Sequence, residues 1–91
     1  MTALETVREL HVLYGIATTN RLTEPQPAIS DVYERLASGI HWSLYWITGG
    51  VDAAAELGGL AAKWKDVADS SEDERVAALY GSWAQNIKSI T

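Results

Sequence analysis

Chemistry in this 91-residue chain would have to come from His11, His41, a run of carboxylates or one aromatic segment. A histidine can hold a metal when ligands recur at helical spacing, as in His-x-x-x-His, His-Glu-x-x-His or Glu-x-x-His. None of these spacings occurs, and the two histidines stand far apart in the chain. His11 falls on an apolar helical stripe, where a hydrogen-bonded core histidine is the expectation. The acidic residues Asp66, Asp69, Glu72, Asp73 and Glu74 could attract calcium or a basic partner. They lack the alternating oxygen ligands, central glycine and terminal glutamate of an EF-hand loop, and read as solvated charge at helix ends. There is no Gly-x-Ser-x-Gly elbow, no phosphate-cradling glycine loop and no carboxylate pair around an evident cleft. Serines and threonines without a placed base are not nucleophiles. The absence of cysteine excludes disulfides, thiolate metal sites and a cysteine nucleophile. The expectation is a protein that is not an enzyme and uses no metal and no cofactor.

The aromatic segment is the informative one. Gly39 to Gly50 reads Gly-Ile-His-Trp-Ser-Leu-Tyr-Trp-Ile-Thr-Gly-Gly, with two of the chain's four tryptophans and no formal charge. At about 100° per residue, Ile29, Tyr33, Leu36, Ile40, Leu44 and Ile47 form one stripe, while Asp31, Glu34, Arg35 and Ser38 fall opposite. Further along, Trp42 and Tyr45 occupy the directions of Ser38 and Glu34, with Trp46 beside the line of Arg35. His41 lies between the two faces. The helix has a polar face at its start and none at its end. Its aromatic end must therefore be covered within the domain or by another molecule. Tryptophan and tyrosine dominate interface hot spots, so a protein-docking surface of Trp42, Tyr45 and Trp46, rimmed by Arg35 and Ser38, is the leading expectation. The alternative is a small-ligand pocket formed by His41, Trp42, Tyr45 and Trp46.

The elements that must position these residues are helical. Leu4, Val7, His11, Tyr14 and Thr18 recur at three- and four-residue steps over 2–19, with Leu10 and Ala17 at the edge. Pro25 and Pro27 mark a loop over 20–27. Pro27 suits the start of a second helix over about 28–48, and Gly49-Gly50 stops it. Asp52 caps a third over 52–68, whose stripe is Ala53, Leu57, Leu60, Ala61, Trp64 and Val67 or Ala68. Gly58-Gly59 inside that helix costs about 1 kcal/mol per glycine, a cost understandable if Trp42 or Trp46 folds over them. Ser71-Glu72-Asp73-Glu74 reads as a capping box opening a fourth helix over 72–90, with Val76, Leu79, Tyr80, Trp83, Ile87 and Ile90 along one side. Strand patterns and internal repeats are missing. The fold expected is all-α, a compact bundle of three to four helices forming a single domain over 1–91, with the second to fourth helices at the core and the first packed across them.

Composition narrows the partners. The net charge is −5, and Arg8, Arg21, Arg35, Lys63, Lys65, Arg75 and Lys88 are scattered rather than gathered into a phosphate-binding stripe. No nucleic-acid partner is expected, although Lys63, Lys65 and Arg75 are the cations that would serve one. A membrane span needs about 20 mostly apolar residues. The longest uncharged run, Leu36 to Val51, is shorter and carries His41, serines and glycines, so no membrane partner is expected. Glu5, Arg8 and Glu9 break up the N-terminus as a secretory signal, which makes the cytoplasm the expected location. A protein partner or self-association remains, through either homo-oligomer formation or stoichiometric binding and inhibition of another protein.

Overall fold

In the computed structural model, which describes residues 2–90, the chain forms an all-α bundle of four helices: α1 Ala3–Thr23, α2 Pro27–Thr48, α3 Ala53–Ser70 and α4 Glu74–Ser89. Three short connections force consecutive helices to turn back on themselves. The tight pairs are α1 with α2 and α3 with α4, and α2 alone makes substantial contact with both members of the second pair. The fold is thus two helical hairpins joined through α2. This differs from the expected core of α2–α4 with α1 laid across it.

Each helix begins where a side chain can satisfy its unpaired N–H groups. At α1, Thr2 Oγ1 accepts from Glu5 N at 3.2 Å, and Glu5 Oε1 accepts from Thr2 N at 3.1 Å. The backbone and side chain of Thr2 hold the Glu5 carboxyl below its ordinary value of 4.5. Its ionised form favours the fold, so this cap is intact above that value and is lost as pH falls below it. Pro27 opens α2, and the side chain of its N-cap Gln26 makes no capping bond. Its amide oxygen Oε1 instead accepts from Arg75, which also pairs with Glu24 at 3.1 Å. This clasp ties the α1–α2 turn to the start of α4. Asp52 caps α3 as expected, accepting from Ala55 N at 2.9 Å.

Boundaries differ from the sequence reading in two places. α1 continues through Asn20–Thr23, because Pro25 restricts only the residue before it, and Glu24 is the extended C-cap. α4 begins at Glu74 rather than residue 72. Ser71 is the C-cap of α3, and Asp73 caps α4 by accepting from Arg75 N and Val76 N. The acidic side chain closest to the helix takes both N–H groups, so no Ser71 capping box forms.

The buried stripes of α2, α3 and α4 follow their apolar periodicity: Leu36, Ile40, Leu44 and Ile47, then Leu57, Ala61 and Trp64, then Tyr80, Trp83 and Ile87. α1 does not. Thr6, Leu10 and Ala17 are its buried positions, while Leu4, His11 and Tyr14 are exposed. His11 is therefore not a core histidine. α1 carries Val12, Ile16 and Leu22 outward as well, so its apolar residues point in several directions and periodicity selects the wrong face.

The close approach of α2 to α3 occurs at Gly39. A Cβ there would stand 3.0 Å from Trp64 Cζ2 and 3.2 Å from Leu60 Cδ1. The mid-helix glycines behave otherwise: a Cβ at Gly58 or Gly59 would meet nothing within 4 Å. No tryptophan folds over them, and the indole that needs a glycine is Trp64 against Gly39. In urea denaturation, Gly39→Ala is expected to lose about 1–3 kcal/mol through overpacking. Gly58→Ala should instead gain about 1 kcal/mol from helix propensity.

Candidate docking face

The four tryptophans divide into two pairs. Trp64 and Trp83 are 3% and 5% exposed, whereas Trp42 and Trp46 are 54% and 49% exposed, with Tyr45 between them at 59%. The cause is the turn of α2. Its buried stripe is already shared between α1 and the α3–α4 pair, so the remaining face of its C-terminal half has no helix left to cover it. The aromatic end is thus outward-facing rather than surrounded within the bundle.

The rings form a continuous run. Tyr14 of α1 meets His41 with ring centroids 6.4 Å apart, His41 meets Trp42 at 5.5 Å, Trp42 meets Tyr45 at 5.8 Å and Tyr45 meets Trp46 at 5.2 Å. The last three contacts are edge-to-face, at interplanar angles of 76–79°, the arrangement favoured by ring quadrupoles. The side chains support one another sideways while leaving their outer surfaces open. Gly49 and Gly50 fix where this ridge ends. Gly50 adopts φ +106°, its N–H donates to Ile47 O at 3.1 Å, and Val51 N donates to Trp46 O at 3.0 Å. This paired closure caps the last carbonyls beneath the ridge.

Arg35 and Ser38 lie on the same exposed face, toward the start of α2. Together with Trp42 they border a groove of about 740 Å³ between α2 and α3. Gly39, Leu60 and Trp64 line it together with Gly59 and Lys63 of α3. Within it, buried Ser43 donates to Glu56 Oε1 at 3.2 Å. His41 borders a separate, smaller hollow of about 350 Å³ with Tyr14, Thr18, Arg21 and Glu34. The structure thus brings Trp42, Tyr45, Trp46 and His41 together as a ridge and splits the hollows beside them. Sequence reasoning did not find Tyr14 as a member of the ridge, or the α2–α3 groove. A signal for the second existed in Gly39, a glycine inside an otherwise regular helix.

The remaining charged candidates are dispersed. Lys65 pairs with Asp69 at 3.4 Å, Arg75 is held by Glu24 and Gln26, and Lys63 borders the α2–α3 groove. Asp73 is committed to capping. Among the described residues no group of three histidines and carboxylates is placed to hold a metal ion, and no helix is long and apolar enough to cross a membrane.

Exposure makes a mutational distinction. Trp64→Ala and Trp83→Ala are each expected to cost about 3–5 kcal/mol of unfolding free energy. Trp42→Ala and Trp46→Ala should each cost less than about 1 kcal/mol, as measured by urea denaturation followed by circular dichroism. No family model, no curated protein and no solved structure matches this chain, so the reading of this face rests on its own geometry.

Proposed function

We propose that this is a non-enzymatic interaction module that docks another protein surface, either a second copy or a stoichiometric partner, through the aromatic ridge of α2. The observation that carries this reading is the half exposure of Trp42, Tyr45 and Trp46 as one run of touching rings, in a stretch of chain with no formal charge. An aromatic side chain buries about 150–250 Å² when covered. Half of that from three rings leaves roughly 300 Å² of apolar surface in water, on the scale of the largest patch a monomer usually carries. Rigid rings on a helix cost little entropy to immobilise, which makes them efficient anchors. Arg35 and Ser38 supply the polar rim.

A small-ligand function is the second reading, and the groove of about 740 Å³ favours it. This volume falls within the usual range for ligand sites. The lining shifts the residues from those expected: Trp42 borders the groove, whereas His41 does not. A ligand there would be sensed by Trp42 and held by Arg35 and Lys63, so His41→Ala would leave its binding unchanged.

The Trp42→Ala/Trp46→Ala variant tests the docking reading. It should retain helicity and a cooperative unfolding transition, and lose about 2 kcal/mol or more of association free energy. Measured by sedimentation or titration, that is a weakening of about 30-fold. Collapse of the fold in this variant would identify the rings as structural and remove the docking function.

A further inference from the structure

We infer that the surface fitting this ridge is a second copy of the same chain, with the two α2 helices lying antiparallel across a two-fold axis. The inference rests on the docking reading above and identifies its partner. A two-fold interface must be self-complementary, because each residue that contacts a position on the partner is contacted by the same position in return. The outer face of α2 has this property. Arg35, Ser38, Trp42, Tyr45 and Gly49 recur at alternating three- and four-residue steps, the spacing that keeps a seam facing a second helix. An axis between Trp42 and Tyr45 lays ring upon ring at the centre. It then places the small Ser38 opposite the partner's Gly49, so no bulk on either side of the rings holds them out of contact.

Charge selects the antiparallel direction. Arg35 is exposed and has no ion-pair partner among the described residues. At the other end of the same seam, the last turn of α2 carries no basic residue to offset the negative end of the helix dipole, and the exposed Asp52 lies four residues beyond Thr48. Antiparallel pairing carries each Arg35 to the negative end of the other α2, near the partner's Asp52. Parallel pairing would instead set Arg35 on Arg35 and Asp31 on Asp31 and leave both helix ends unmatched. The ridge supplies less than half of the roughly 800 Å² per partner of a standard interface, so contacts at Arg35, Ser38 and Gly49 must add to it and a weak, readily dissociating dimer is expected.

Sedimentation equilibrium across a dilution series tests the proposal on the full chain. Wild type is expected to pass from monomer to dimer, and Arg35→Glu should weaken the dimer about tenfold or more. Asp52→Asn, which keeps a capping side chain on α3, should recover part of that loss when added to Arg35→Glu. Because the chain has no cysteine, introduced thiols report orientation cleanly. Oxidation of Ser38→Cys mixed with Gly49→Cys should give the mixed disulfide, while Ser38→Cys alone should not cross-link. A folded wild-type chain that stays monomeric at every concentration would overturn this pairing. So would a dimer indifferent to Arg35→Glu, or rapid cross-linking of Ser38→Cys with itself. None of these outcomes touches the docking reading, which fails separately if the Trp42→Ala/Trp46→Ala chain does not fold.

Discussion

The seating of the Trp64 indole on Gly39 is the contact around which the molecule is organised. α2 is the element common to both hairpins, and it reaches α3 closely only because no side chain stands at residue 39. This approach directs the stripe of Leu36, Ile40, Leu44 and Ile47 into the core shared with α1, α3 and α4. Once those directions are used, the opposite side of α2 must face outward. The exposure of Trp42, Tyr45 and Trp46 is therefore a consequence of core packing elsewhere on the same helix. The Arg75 clasp on Glu24 and Gln26 reinforces this arrangement from the far end by joining the α1–α2 turn to α4.

Much of the fold was legible in the residues. The apolar stripes of α2, α3 and α4 are strong because each packs on a well-defined neighbour, and their periodicity matches the observed burial. Pro27, Asp52 and the Gly49-Gly50 stop act locally, through backbone geometry and N–H satisfaction, and were readable for that reason. α1 was legible as a helix but not in its orientation. Leu4, Val12, Ile16 and Leu22 remain in water while Thr6 is buried, so its burial is decided by where α2 lies rather than by its own pattern. The start of α4 was misread because Ser71 and Asp73 are both good caps, and only their positions relative to the end of α3 separate them.

The candidate site was legible in composition but not in exposure. The sequence places Trp42, Tyr45 and Trp46 on one side of α2, which the ring contacts bear out. Whether that side is inside or outside depends on the number of helices available to cover it, a tertiary property. The same limit hid the α2–α3 groove, since its lining comes from residues far apart in the chain, such as Arg35, Trp42 and Lys63. Tyr14 illustrates the point from the other direction. It belongs to an α1 row read as core, yet its own ring is exposed and meets His41 at the edge of the ridge. His41 connects the two helices through its contacts with Tyr14 and Trp42, which makes the exposed face a feature of the whole α1–α2 hairpin.

An exposed ridge held by edge-to-face contacts has a directly observable property: two indoles are wet and two are dry before any partner arrives. The four tryptophan side-chain N–H resonances can be followed by NMR with a soluble paramagnetic agent, first in dilute protein and then under associating conditions. In dilute protein, Trp42 and Trp46 are expected to broaden strongly while Trp64 and Trp83 stay sharp. On association, the first two should become protected and the second two should not change. Protection of Trp42 and Trp46 at every concentration would place them in the core. Unchanged broadening on association would remove the ridge from the interface.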